Sequence, residues 1–114
     1  MEKAQFEEAG INYDQAINRF MNKQEMYEKF LVRFTNDKSY GELKAAIEAN
    51  DCDAAFRAAH TLKGVTANLA MDSLTKAASD TTEKLRAGNI EEAKELMQQV
   101  DVEYNRVMEF IQKL

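Results

Sequence analysis

Proline is absent from this 114-residue chain, and glycine occurs only at Gly10, Gly41, Gly64 and Gly88. That argues against strands joined by tight hairpins and favours helices joined by short capped turns. The single cysteine, Cys52, excludes an internal disulfide and fits a reducing compartment. It is expected to be an inert thiol near a helix start. The single histidine, His60, further limits the chemistry. A metal site needs about three or four ligands, so only a carboxylate-rich site could be built, and the acids show no ligand spacing. No metal and no cofactor of the chain's own is expected. The net charge of −5, with no Lys/Arg cluster, disfavours nucleic acid as a partner. No apolar run approaches the roughly 20 residues of a membrane span. The opening "MEKAQFEEAG" lacks the apolar core of a secretory signal. A cytoplasmic protein without membrane contact is expected.

What is present is helical periodicity throughout, with 45% hydrophobic and 31% charged residues, enough for one modest core in one domain spanning 1–114. Residues 1–11 read as a lead-in with little fixed order. Tyr13, Ala16, Ile17 and Phe20 predict a short first helix. Asn22 and Glu25 resemble a capping box for a second, whose inner face is Met26, Tyr27, Phe30, Leu31 and Phe34. Ser39 and Glu42 repeat the signal before Tyr40, Leu43, Ala46 and Ile47. Asp51 or Asp53 caps a fourth helix running to about Leu69. Asp72 starts a fifth, with Leu74, Ala77, Ala78, Thr81 and Leu85 inward and Gly88 as its terminator. Asn89 and Glu92 open the last, where Ile90, Ala93, Met97, Val100, Tyr104, Val107, Ile111 and Leu114 form a bundle seam. The expected fold is all-α: an antiparallel four-helix bundle preceded by one or two short N-terminal helices.

The fourth helix carries "RAAHTLKGVTANLAM", residues 57–71. A mid-helix glycine costs roughly 0.5–1 kcal/mol relative to alanine, so Gly64, one turn after His60, asks for a reason. At about 100° per residue, Ala55, Ala58, Leu62, Val65, Thr66 and Leu69 lie roughly 140–240° from His60 and form the core face. His60 therefore points outward. Phe56, Gly64, Ala67 and Met71 fall within about 40° of its stripe, and Arg57 and Lys63 flank it at about 60°. An outward stripe of small and apolar residues suggests a surface that another protein covers. Two readings stay open for Phe56, contact with a partner or folding onto a neighbouring helix. Arg57 and Lys63 can also be read as ordinary surface charges.

A lone exposed imidazole lacks the nucleophile and carboxylate of a hydrolytic triad. With the ordinary imidazole pKa near 6.5, a neutral ring nitrogen is available as a nucleophile at cellular pH. Such a group can carry a substituent covalently while a partner supplies the rest of the site. Phosphoryl transfer fits, because its catalysis is mostly positioning and charge neutralisation. Lys63 could offset part of the roughly −1.5 to −2 charge a phosphoryl group brings, and Gly64 leaves a gap for an approaching active site.

The run Ala59-His60-Thr61-Leu62-Lys63-Gly64-Val65-Thr66-Ala67-Asn68-Leu69-Ala70 resembles the motif A-H-x-L-K-G-x-[small]-x-x-x-G of the histidine-containing phosphotransfer (Hpt) domains of two-component phosphorelays. "GINYDQAINRF", "YEKFLVRF" and "AAIEANDCDAAFRAAHTLKG" also look like their family counterparts, so the resemblance covers nearly the whole chain. It implies that His60 accepts a phosphoryl group on a ring nitrogen, Nε2. It implies that Lys63 holds the phosphoryl group or orients the ring, and that Gly64 gives clearance. The implied partner is the receiver domain of a response regulator or hybrid sensor histidine kinase, which supplies the aspartate and Mg²⁺. Phe56, Arg57, Ala67, Asn68 and Met71 would form the partner surface of a carrier without ATPase or kinase activity, expected to be a monomer. The sequence departs from the motif at its last glycine, which is Ala70 here. Remaining readings are a docking bundle that carries no phosphate, a structural bundle that oligomerises through its last helix, and the substrate domain of a chemotaxis-type kinase. The carrier could stand alone or belong to a longer protein.

Overall fold

The computed structural model describes residues 2–114 and contains seven α-helices among them: α1 Lys3–Glu8, α2 Tyr13–Arg19, α3 Gln24–Phe34, α4 Ser39–Glu48, α5 Cys52–Asn68, α6 Asp72–Arg86 and α7 Ile90–Gln112. Helix α5 packs between α4 and α6, α6 packs on α7, and α4 touches α7, which closes a four-helix bundle. The connections 49–51, 69–71 and 87–89 are too short for anything but chain reversal, so sequence neighbours lie antiparallel.

Without proline, these helices stop by another device. Gly10, Met21, Asn50, Ala70 and Gly88 each take a positive φ just past a helix end. After α5, the Met71 N–H donates to the Thr66 carbonyl (3.0 Å) and the Ala70 N–H to that of Ala67 (3.1 Å), the Schellman pattern. The same pair recurs after α4, where Asp51 N–H donates to Ala46 O (2.9 Å) and Asn50 N–H to Ile47 O (3.1 Å). Helix starts follow the expected caps in two cases. Asp51 accepts from Ala54 N–H at 3.1 Å, and Asn89 accepts from Glu92 N–H at 3.1 Å. Two other expected caps are corrected. Asn22 is drawn into a left-handed turn (φ 62) that ends α2, leaving Lys23 at the start of α3. Ser39 is the buried first residue of α4, and Asp37 accepts its N–H at 3.1 Å.

Small and branched side chains build the interior: Ala55, Ala58, Ala59 and Leu62 of α5 meet Leu74, Ala77, Ala78 and Leu85 of α6, all buried. Alanine combines the highest helix propensity with the smallest methyl-bearing side chain, so it suits a close helix pair. Thr81 and Thr82 are buried within it, and each returns its hydroxyl to the carbonyl four residues back (2.9 and 2.7 Å).

Of the expected loosely ordered lead-in over residues 1–11, Met1 lies outside the described residues, and residues 2–11 depart from that expectation. Phe6 is fully buried, with ring centroids 4.7 Å from Phe110 and 5.0 Å from Tyr13, and Ile11 is buried too. Helix α7 is the longest at 23 residues. Phe6 and, from α3, Phe34 (5.9 Å from the Tyr104 ring) pack on its C-terminal half. The expected faces of α3 and α7 also need correction. Met26 (41% exposed) and Phe30 (38%) face outward while Tyr27, Leu31 and Phe34 are buried. Leu114 lies past the end of α7 and is exposed, whereas Ala93, Met97, Val100, Val107 and Ile111 are buried as the seam requires.

Candidate functional site

His60 sits mid-way along α5 with its side chain exposed, while Ala59 before it and Leu62 after it are buried. Side chains on a helix lean toward its N-terminus, over the preceding turn. His60 therefore leans over Phe56, and the two rings stack with centroids 5.9 Å apart and planes 17° from parallel. By the same geometry a side chain at position 64 would lean over His60. Gly64 has none, and a Cβ built there meets nothing within 4 Å. The imidazole is thus walled on its N-terminal side and open on its C-terminal side.

Lys63, three residues on, also leans back toward the His60 turn. It is half-buried, more enclosed than the exposed position expected of it, and makes no ion pair among the described residues. A hydroxyl chain pins this stretch: Thr75 of α6 donates to Thr66 Oγ1 (2.9 Å), and Thr66 donates to the Lys63 carbonyl (3.2 Å). Arg57 and Asn68 are exposed and Ala67 is half-buried, all on α5. Met71 does not join them. It is fully buried, because α5 ends at Asn68 and the left-handed Ala70 turns the chain inward. Val65, expected on the core face, is only half-buried.

The C-terminal end of α5 is held by the N-terminal elements. Arg19 donates to the Ala67 carbonyl and buried Tyr27 to that of Leu69, both at 2.5 Å. The Asn12 N–H donates to the Ala70 carbonyl at 2.8 Å. The Leu69 and Ala70 carbonyls, which a helix end leaves without intrahelical partners, thus gain donors from elsewhere in the chain, and the Ala67 carbonyl gains a second donor beside the Ala70 N–H. Burial, with a smaller contribution from the charge of Asp72, raises the Tyr27 phenol well above its ordinary pKa.

Two features escaped the sequence reading. Arg86, at the end of α6, lays its guanidinium 5.0 Å from the Phe56 ring centroid, on a side chain that is half-buried and packed against the edge of the core. An apolar cleft of about 450 Å³ lies between α3 and α5, lined in part by Phe20, Phe30, Arg33, Val65 and Asn68. It continues from the His60 helix onto the outward face of α3. Sequence spacing held the signal for Phe30 in its regular placement beside Tyr27 and Leu31, but nothing local showed that it lies outside.

Among the described residues no group of three or more His, Cys, Asp or Glu could hold a metal ion. None of their helices is long and apolar enough to cross a membrane. Cys52 is half-buried at the first position of α5, its Sγ 3.5 Å from the Leu85 carbonyl.

The sequence model of the Hpt domain matches residues 25–110. The chain belongs to the Hpt domain family. No curated protein and no solved structure matches the chain. Hpt domains serve histidine phosphotransfer in two-component systems as phosphoryl carriers that interact with receiver domains. The helical bundle expected of an Hpt domain is the fold observed. The matched span includes α5 whole and therefore the only histidine of the chain.

Proposed function

We propose that this Hpt domain is a phosphorelay intermediate that accepts a phosphoryl group on His60 from a receiver-domain aspartyl phosphate and passes it to another receiver aspartate. The observation that carries the reading is the exposed imidazole beside an unobstructed gap at Gly64. In the forward step the lone pair of neutral His60 Nε2 attacks phosphorus in line. A P–N bond forms, the P–O bond to the aspartyl carboxyl breaks, and the carboxylate leaves with the bond's electron pair. The other ring nitrogen keeps its proton, so no base is needed. The reverse of this step loads the next receiver.

Lys63 neutralises part of the phosphoryl charge or orients the ring, and Gly64 gives the visiting domain clearance. Arg57, Phe56, Ala67 and Asn68 of α5, with Phe30 and Arg33 of α3, form the partner surface, and Met71, being buried, takes no part in it. The partner is a receiver domain of a response regulator or hybrid sensor kinase, which brings the aspartate and Mg²⁺. The chain itself acts as a carrier without ATPase or kinase activity, in the cytoplasm.

The test is incubation with a phosphorylated receiver, followed by assay for acid-labile, base-stable label. Wild type gains such label and His60→Gln does not. Label on His60→Gln, or none on wild type with any receiver tried, would move the protein to a docking role. Lys63→Ala should slow transfer with unchanged helix content by circular dichroism.

A further inference from the structure

The aromatic wall beside His60 is built from two helices. Phe56 comes from α5, one turn before His60, and Arg86 from the last turn of α6. The Arg86 guanidinium carbon lies 5.0 Å from the Phe56 centroid, and the Phe56 ring is 5.9 Å from that of His60 and 17° from parallel. Glu83 restrains the other side of Arg86, with Nε 3.3 Å from its carboxylate. Imidazole, ring and guanidinium thus form a chain of contacts whose last member is anchored on a different helix.

We infer that Phe56 is a positioning residue for His60 and that Arg86 acts through it as a brace. The inference rests on the reading that His60 is the phospho-acceptor. An exposed imidazole turns about two side-chain bonds, and in-line attack needs its nitrogen lone pair aimed at the incoming phosphorus. Stacking fixes the ring plane, which removes rotational freedom before the partner arrives. The near-parallel Phe56 ring lies on the N-terminal side of the imidazole and leaves its C-terminal side, at the Gly64 gap, open. Phe56 would be a poor brace if it were itself free. The cation–π contact with Arg86 holds it, and its half-buried position limits where it can move. A simple role in covering the α5–α6 seam predicts a different response, because any apolar side chain of similar volume would serve.

The experiment compares Phe56→Leu, Phe56→Tyr and Arg86→Ala with wild type in two measurements. The first is NMR relaxation of the His60 ring in the unphosphorylated protein, which needs no receiver. The second is the rate of transfer from a phosphorylated receiver, separated into its saturated rate and its KM. Phe56→Leu should raise ring mobility and lower the saturated rate about fivefold, the cost of ordering one side chain during the reaction. Phe56→Tyr should keep both near wild type, and Arg86→Ala should fall between. Unchanged His60 mobility in both Phe56→Leu and Arg86→Ala overturns the brace, as does a loss confined to KM, which would make Phe56 a docking contact only. Should Phe56→Leu lose its fold, the surface change Arg86→Ala carries the test alone. Label on His60→Gln removes the acceptor reading, while ring mobility still reports on the stack.

Discussion

At the scale of single residues, Gly64 separates two costs that usually travel together. An alanine there meets no atom within 4 Å in the free protein, and it removes a mid-helix glycine. Gly64→Ala should therefore stabilise the fold by about 0.5–1 kcal/mol in thermal or denaturant unfolding. The same change should slow phosphotransfer, because the new methyl leans toward His60, and Gly64→Leu should slow it further. Normal transfer by Gly64→Leu would remove the access argument. Tyr27 gives a pH signature. Its phenol is raised by burial, so above pH about 10, the ordinary tyrosine value, the folded state binds more protons than the unfolded one. Stability is then full below that pH and falls as pH rises through the window above it. Tyr27→Phe should flatten this alkaline decline. At neutral pH it should cost about 1–3 kcal/mol, because the Leu69 carbonyl loses its donor.

At the scale of elements, the helix ends carry the unfavourable backbone. A non-glycine residue in the left-handed region costs roughly 1–2 kcal/mol. Met21 holds φ 58 while 73% exposed, so its side chain gains little in return. Met21→Gly should raise stability by about 1 kcal/mol in denaturant titration. Ala70→Gly should gain less, since the alanine methyl is fully buried and its removal forfeits about 0.8 kcal/mol. Ala70 stands where the family motif has glycine, so the departure costs stability at the end of α5 and does not touch the imidazole. Gly10→Ala should be destabilising: φ is 81, and a Cβ would stand 2.7 Å from both Cβ and Oγ of Ser73. That contact, with the Ser73 N–H donating to the Gly10 carbonyl at 3.2 Å, joins α1 to the start of α6. Buried Glu103 lies beside this junction, 5% exposed, with Oε1 accepting from Gln99 and Oε2 3.4 Å from Arg106.

At the scale of the whole molecule, the seam of α7 is covered by the chain's own helices, with Met97, Val100 and Val107 buried. Sedimentation should accordingly report a monomer, and a stable dimer would show that another apolar face is in use. The exposed apolar surface is concentrated at α2–α3, where Met21, Met26, Phe30 and Val32 stand out. Phe30→Asp should raise the KM for receiver-dependent transfer while leaving the melting temperature nearly unchanged, because the ring is not part of the buried core. An equal loss of stability would place Phe30 among the packing residues.

The positions of most helices were legible because their periodicity is local: Leu74, Ala77, Ala78, Thr81 and Leu85 share a face whatever surrounds them. The functional helix was legible for the same reason. His60, Lys63 and Gly64 are related by helix geometry alone, and the exposure of His60 and Gly64 follows from the buried Ala55–Ala58–Leu62–Thr66 face, whereas Lys63 at the edge of the stripe is half-buried. Met71 was misplaced because the same angular ruler was carried beyond Asn68, where a left-handed residue resets the direction. The α3 face was misread because five apolar positions exceed what one buried stripe needs, and only its neighbours decide which of them stay wet.

The sequence by itself determined that this chain is helical, where most of its helices run, and that one imidazole shares a stripe with a glycine. Those properties depend on backbone geometry within a few residues. Only the tertiary structure decided that Phe6 is core, that Phe30 and Met26 are surface, and that Arg86 closes over Phe56. Each depends on which residues distant in sequence occupy the space around a side chain, and no spacing within a helix encodes that.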